Sequence, residues 1–212
     1  MGGAGLGSSL DDFVLGLARG RKVCFVPTAS SESPEYVIRF YEAFGAKAEA
    51  THLVFFPWPP QSLREHVLSQ DVIYVGGGNT ANMLAVWRIH GMDAVLREAW
   101  ESGIVLCGSS AGMICWFEAG VTDSFGPQLE GMRDGLGLLP GSACPHYDGE
   151  ELRRPRYRGL VDGGFPAGWA ADDSVGLHFD GTDLADVVTA VPGKRAYRVE
   201  PRSETPIDAR PL

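Results

Sequence analysis

Along the chain, short continuous apolar runs alternate with stretches of helical period. Residues 9–18 place Leu10, Phe13, Val14 and Leu17 on one face and predict a helix after a glycine-rich start. Val23-Cys24-Phe25-Val26 is a continuous apolar run that stops at Pro27, the signature of a strand buried on both faces with a loop at its carboxyl end. Ser33-Pro34 then supplies an N-cap and a proline at the first helical position. Tyr36, Ile38, Phe40, Tyr41 and Phe44 feed the apolar side of that helix up to Gly45.

The alternation continues with a strand at 48–56, a turn at 57–60, a helix at 62–69 and a buried strand at 71–75 that runs into Gly76-Gly77-Gly78-Asn79-Thr80. Helices are expected at 80–89 and 93–102, then a strand at 104–107 that turns at Gly108 into a helix around 113–117. Residues 120–149 read as turn-rich, 156–162 as helical, and 170–179 and 196–199 as strands. The pattern predicts an α/β fold, a mostly parallel sheet with helices on both faces and function at the carboxyl ends of its strands. No internal repeat or low-complexity segment interrupts it.

Length adds one expectation, a single domain over 1–212 whose first nine residues are flexible. A formal net charge of −9 with only short arginine clusters lacks the footprint of a nucleic-acid binder. There is no signal-peptide pattern and no run of the roughly 20 apolar residues a membrane span needs, so the cytoplasm is the expected compartment. The four cysteines (Cys24, Cys107, Cys115, Cys144) form no CxxC pair and read as buried reduced thiols, with no metal site.

Gly108-Ser109-Ser110-Ala111-Gly112 matches G-x-S-x-G between an apolar strand and an apolar helical stretch, the context in which the central serine is held exposed on a sharp turn. A serine hydroxyl needs a base, and of five histidines His146 stands apart, in the proline-stiffened segment Cys144-Pro145-His146-Tyr147-Asp148. His52, His66 and His90 read as surface groups and His178 as structural. Spacing alone does not choose a carboxylate among Asp123, Asp134, Asp148, Asp172 and Asp173. Backbone N–H groups for an oxyanion are available at Ala111 and in the loop Gly76 to Gly78, which lacks the spacing of a nucleotide-binding loop.

Taken together, Ile73-Tyr74-Val75-Gly76-Gly77-Gly78-Asn79-Thr80, Gly108-Ser109-Ser110-Ala111-Gly112 and Pro145-His146-Tyr147 resemble peptidase E and its relative cyanophycinase, serine peptidases on a class I glutamine-amidotransferase-like fold. The resemblance covers the chain from about 23 to 199. It implies Ser110 as nucleophile, His146 as base, Gly78 and Ala111 as oxyanion donors, and a contribution from Asp123. It implies Asp173 as the triad carboxylate, with Asp172 beside it, where the family carries a glutamate. It further implies a short peptide substrate with an acidic N-terminal residue, typically an aspartyl dipeptide, and no cofactor. Arg153 and Arg156 would bind the substrate carboxylate, with Gly77 and Asn79 lining the site.

Two other readings remain open at this point, an esterase or amidase of the α/β-hydrolase class and a silent small-molecule binding protein on the same scaffold. No nucleic-acid or membrane partner is expected, and self-association into a homo-oligomer is left open.

Overall fold

The computed structural model describes residues 1–3 and 5–212 and divides into two compact units, one of Leu6–Gly112 and one of Met1–Gly5 with Met113–Leu212.

The first unit runs α1 (Ser9–Leu17), β1 (Lys22–Val26), α2 (Pro34–Phe44), β2 (Glu49–His52), α3 (Leu63–Leu68), β3 (Val72–Val75), α4 (Thr80–His90), α5 (Met92–Glu101) and β4 (Val105–Gly108), and α6 (Ala111–Ile114) begins at its end. Its four strands form an all-parallel sheet in the order β2-β1-β3-β4. Val23 to Val26 and Val72 to Val75 have no exposed surface, as continuous apolar runs demand when helices cover a sheet. Phe40 and Phe44 of α2 pack on Phe25 and Tyr74, with the Phe25 and Phe40 rings stacked at 4.8 Å. Each such phenylalanine contributes about 1.5–3 kcal/mol by leaving water. Ser33 caps α2 by accepting from Tyr36 N at 3.3 Å, and Asn79 caps α4 by accepting from Asn82 N at 2.9 Å.

The second unit holds β5 (Phe117–Thr122), β6 (Glu130–Met132), β7 (Leu139–Cys144), α7 (Arg153–Asp162), β8 (Gly168–Ala171), β9 (Val175–Asp180), β10 (Asp183–Thr189), β11 (Arg195–Glu200), β12 (Ser203–Asp208) and β13 (Arg210–Pro211). A six-stranded sheet runs β12-β11-β8-β7-β5-β6, parallel at β5-β7 and β7-β8 and antiparallel at its flanks. A three-stranded sheet runs β13-β10-β9. Tyr147, Tyr157, Val161 and Phe165 close a core over Ala119, Val121, Cys144 and Ala170, and Ser142 Oγ bonds the Tyr157 hydroxyl at 2.7 Å inside it.

The α/β class and the parallel sheet flanked by helices stand as expected. Local expectations change in several places, and the stretch 120–149 expected to be turn-rich carries the end of β5 with β6 and β7. The helix around 113–117 is the single turn α6, and Phe117 starts a strand instead, because an apolar run this short suits either period. The strand over 170–179 is two strands broken at Asp172 to Ser174, where Ser174 takes φ 68°. The flexible start expected over 1–9 includes Ala4, which lies outside the described residues. Of the others, Gly2 and Gly3 hydrogen-bond to the second unit's β8–β9 region and Ser9 opens α1. All four cysteines are free thiols, buried at Cys24, Cys115 and Cys144 and partly exposed at Cys107.

Candidate active site

In the first unit, sheet register brings two loops to one edge. β3 and β4 are parallel neighbours with Val75 opposite Gly108, so the residues following each strand leave the sheet side by side. Those residues are the glycine loop and the serine motif. A Cβ on Gly108 or on Gly112 would overlap the Val75 carbonyl, so both glycines of the motif are required for the turn to close against β3. Between them Ser110 takes φ 56°, a left-handed conformation that a non-glycine residue seldom adopts. Ser110 is half-buried, and a Cβ on Gly77 would lie 3.3 Å from its Cβ and 3.9 Å from its Oγ.

The glycine loop is itself pinned. Gly77 N donates to the Tyr36 hydroxyl at 3.3 Å, and Asn79 N donates to Ala29 O at 2.8 Å. Gly78 lies between these two engaged groups at φ 137°, pressed on the Ala29 carbonyl where no side chain fits. The Asn79 side chain, expected to line the site, caps α4 through Oδ1. Tyr36, which no motif singles out, holds the loop through its hydroxyl.

In the second unit the pairing of β7 with β8 does the same work. Cys144 is opposite Ala170, and Tyr147 N donates to Ala171 O at 3.1 Å, so the segments past the two strand ends run together. His146 Nδ1 and Asp173 Oδ1 are 2.8 Å apart, with side-chain exposures of 24% and 39%. His146 sits at φ 54°. A carboxylate on Nδ1 fixes the tautomer and leaves Nε2 as the proton-accepting nitrogen.

Asp172 faces elsewhere. It is 5% exposed and accepts from Arg195 N at 2.9 Å through Oδ2, while its Oδ1 is buried without a partner. Burial pushes its carboxyl above the usual range against the lowering effect of the Arg195 N–H. Through that bond Asp172 ties the start of β11.

Asp148, another of the five candidate carboxylates, stands behind Asp173. Its Oδ1 accepts the Asp173 backbone N–H at 2.8 Å and its Oδ2 pairs with Lys194. Burial raises its carboxyl, but the Lys194 ammonium and the Asp173 N–H outweigh this and hold it below the ordinary value.

The arginines divide. Arg153 is 3% exposed, and its guanidinium donates to Glu150 Oε2 at 2.7 Å and to Val121 O at 3.0 Å. The expected substrate role does not fit a fork already spent inside the unit. Arg154 pairs with Glu204 and lies over the Tyr147 and Tyr197 rings. Arg156 is exposed, with Nε donating to Leu129 O at 2.8 Å. Asp123 is exposed just after β5. Among the described residues no group of three or more His, Cys, Asp and Glu could hold a metal ion, and no helix is long and apolar enough to cross a membrane.

This geometry can be set beside known proteins. The model of peptidase family S51 matches residues 4–187. The chain belongs to peptidase family S51. It is 48% identical over 208 residues to uncharacterized peptidase YgaJ of Bacillus subtilis strain 168, covering 94% of this chain and 90% of that protein. A peptidase E from Nostoc sp. is 27% identical over 133 residues, 60% of this chain and 52% of its own. Among solved structures, a peptidase from an acI-B1 actinobacterium superposes with a TM-score of 0.65 at 20% identity, covering 99% of this chain and 95% of that one. A putative peptidase E from Listeria monocytogenes EGD-e gives 0.57 at 17% identity, with 96% of each chain covered. The two structures share the fold with this S51 peptidase, and the family makes the chain a peptidase.

Proposed function

We propose that this peptidase is a serine-type dipeptidase that cleaves short peptides, preferring an N-terminal aspartate, through an acyl-enzyme on Ser110. His146 Nε2 takes the Ser110 proton as Oγ attacks the scissile carbonyl. Asp173 holds the imidazole and stabilises the imidazolium that forms. The N–H groups of Gly78 and Ala111 receive the oxyanion, each worth about 10²–10³ in rate if placed as such donors are elsewhere. His146 then returns the proton to the leaving amine, and water releases the acyl group by the same steps in reverse roles.

What supports this reading most is the 2.8 Å contact between His146 Nδ1 and Asp173 Oδ1, a base already oriented by a carboxylate. The left-handed serine between two obligatory glycines supports the nucleophile. For the substrate's acidic group, Arg156 is the better partner of the two expected arginines, because Arg153 is buried and engaged.

The test is a turnover screen of Asp-X, Glu-X and neutral dipeptides with the purified protein. Hydrolysis of Asp-X dipeptides above the others, weakened in KM by Arg156→Ala, is the expected result. Equal turnover of neutral dipeptides would remove the acidic preference, and turnover of simple esters without any dipeptide would replace the peptidase chemistry with that of an esterase.

A further inference from the structure

The chain's first glycines lie against the base and its carboxylate. Gly2 O accepts the backbone N–H of His146 at 3.2 Å, Gly2 N donates to Val175 O at 2.9 Å, and Gly3 O accepts from Ser174 N at 2.6 Å. These bonds tie together the segments on which His146 and Asp173 sit, each of which contains a left-handed non-glycine residue, His146 and Ser174. Such residues persist only when their surroundings over-determine them.

The approach is closer than any side chain permits. A Cβ on Gly3 would overlap both Asp173 Oδ1 and His146 Nδ1, the two atoms of the hydrogen bond itself. On the other side, a Cβ on Gly149 would overlap Asp173 Oδ2. The carboxylate therefore sits in a slot whose walls are two glycine Cα atoms, with its own backbone N–H held by Asp148.

We propose that Gly2 and Gly3 act as a positioning strap for the His146–Asp173 pair, so that residues far from the serine motif in sequence set the orientation of the base. The inference rests on the serine-peptidase reading for its kinetic consequence but not for its structural one. Neither glycine touches substrate; both act through His146 and Asp173, as outer-shell groups act through a metal's ligands, where their loss typically costs about 10–100-fold.

Gly3→Ala tests it, with Gly5→Ala as control, since a Cβ on Gly5 meets nothing within 4 Å. Gly3→Ala is expected to lower kcat about 10–100-fold with KM unchanged within about twofold. It should also shift or abolish the low-field proton resonance of the hydrogen bond between His146 and Asp173, a readout that needs no turnover. Gly5→Ala should leave kcat and resonance as they are. An unchanged resonance in folded Gly3→Ala overturns the strap, whatever happens to kcat. Absence of dipeptide turnover in the unmodified protein would instead overturn the proposed function and leave the resonance to decide the strap. Should Gly3→Ala fail to fold, the variant that adds both His146→Ala and Asp173→Ala, removing the side-chain atoms the new Cβ would overlap, decides: recovery of folding supports an effect exerted through the pair, and no recovery overturns it.

Discussion

Ser110 and His146 both sit at left-handed backbone positions just past the end of a parallel strand, at φ 56° and 54°, yet the chain fixes them by different means. Around Ser110 the constraint is local. Gly108 and Gly112 lie two residues to either side, and both are pressed on the Val75 carbonyl. Around His146 the constraint comes mostly from positions remote in sequence: Gly2 on its backbone N–H and Asp173 on its ring, with the neighbouring Asp148 and the distant Lys194 behind Asp173. One position is built by a five-residue motif, the other by strand register and hydrogen bonds between distant segments. A local turn is damaged by its own residues only, whereas an assembled pair is open to damage from several places.

The largest expected effect is at the local end. Ser110→Ala should lower kcat on a dipeptide by about 10⁴-fold or more, while changing stability by less than about 0.5 kcal/mol, since the side chain is half-buried on a turn and fills no core. Kinetics and urea melts on the same preparation check both halves. Residual activity above a few per cent would remove Ser110 from the nucleophile's role.

Next come the adjacent aspartates, measured side by side. Asp173→Asn should cost about 10⁴-fold in kcat, as loss of a triad carboxylate does elsewhere. Asp172→Asn should change kcat by less than about threefold, because that side chain serves Arg195 N. The reverse ranking would move the orienting role to Asp172.

That contrast also marks what the sequence discloses. The G-x-S-x-G string carries its own structural reason, and the apolar runs at Val23 to Val26 and Val72 to Val75 announce buried strands because parallel sheets covered by helices need them. His146 is recognisable from the proline-stiffened segment and the family resemblance. The choice of Asp173 over Asp172 turns on where β8 ends and how the chain bends at Ser174, a non-glycine left-handed residue with no compositional signal. Gly2 and Gly3 read as a loose start, because glycine favours flexibility and close approach alike, and only the partner that approaches tells the two apart. Arg153 and Arg156 look equivalent in the sequence. The α7 geometry buries the first and exposes the second.

A smaller effect tests the local constraint itself. Gly112→Ala should destabilise the protein by about 1–3 kcal/mol through overpacking against Val75, read as a lower denaturation midpoint, whereas Gly16→Ala, with open space at its Cβ, should not.

The smallest effect probes the assembled end through pH. The Asp148 carboxyl is held below its ordinary value in the folded chain, so its contribution is present above the unfolded value and is lost as pH falls through the folded one. Asp148→Asn should therefore be less stable than the unmodified protein by up to about 1 kcal/mol near neutral pH, and the difference should shrink and then close in acid, as pH falls from the ordinary aspartate value through the lower folded one. Denaturation midpoints at several pH values check it; a gap that widens in acid would reverse the assigned sign.

The central claim, that Ser110 is a nucleophile activated by the pair at His146 and Asp173, is tested most directly by fluorophosphonate labelling read by peptide mass spectrometry. The account predicts one adduct, on Ser110, absent in Ser110→Ala and formed at least about 10²-fold more slowly in His146→Ala. An adduct on another residue, no adduct at all, or a labelling rate unchanged by His146→Ala would contradict it.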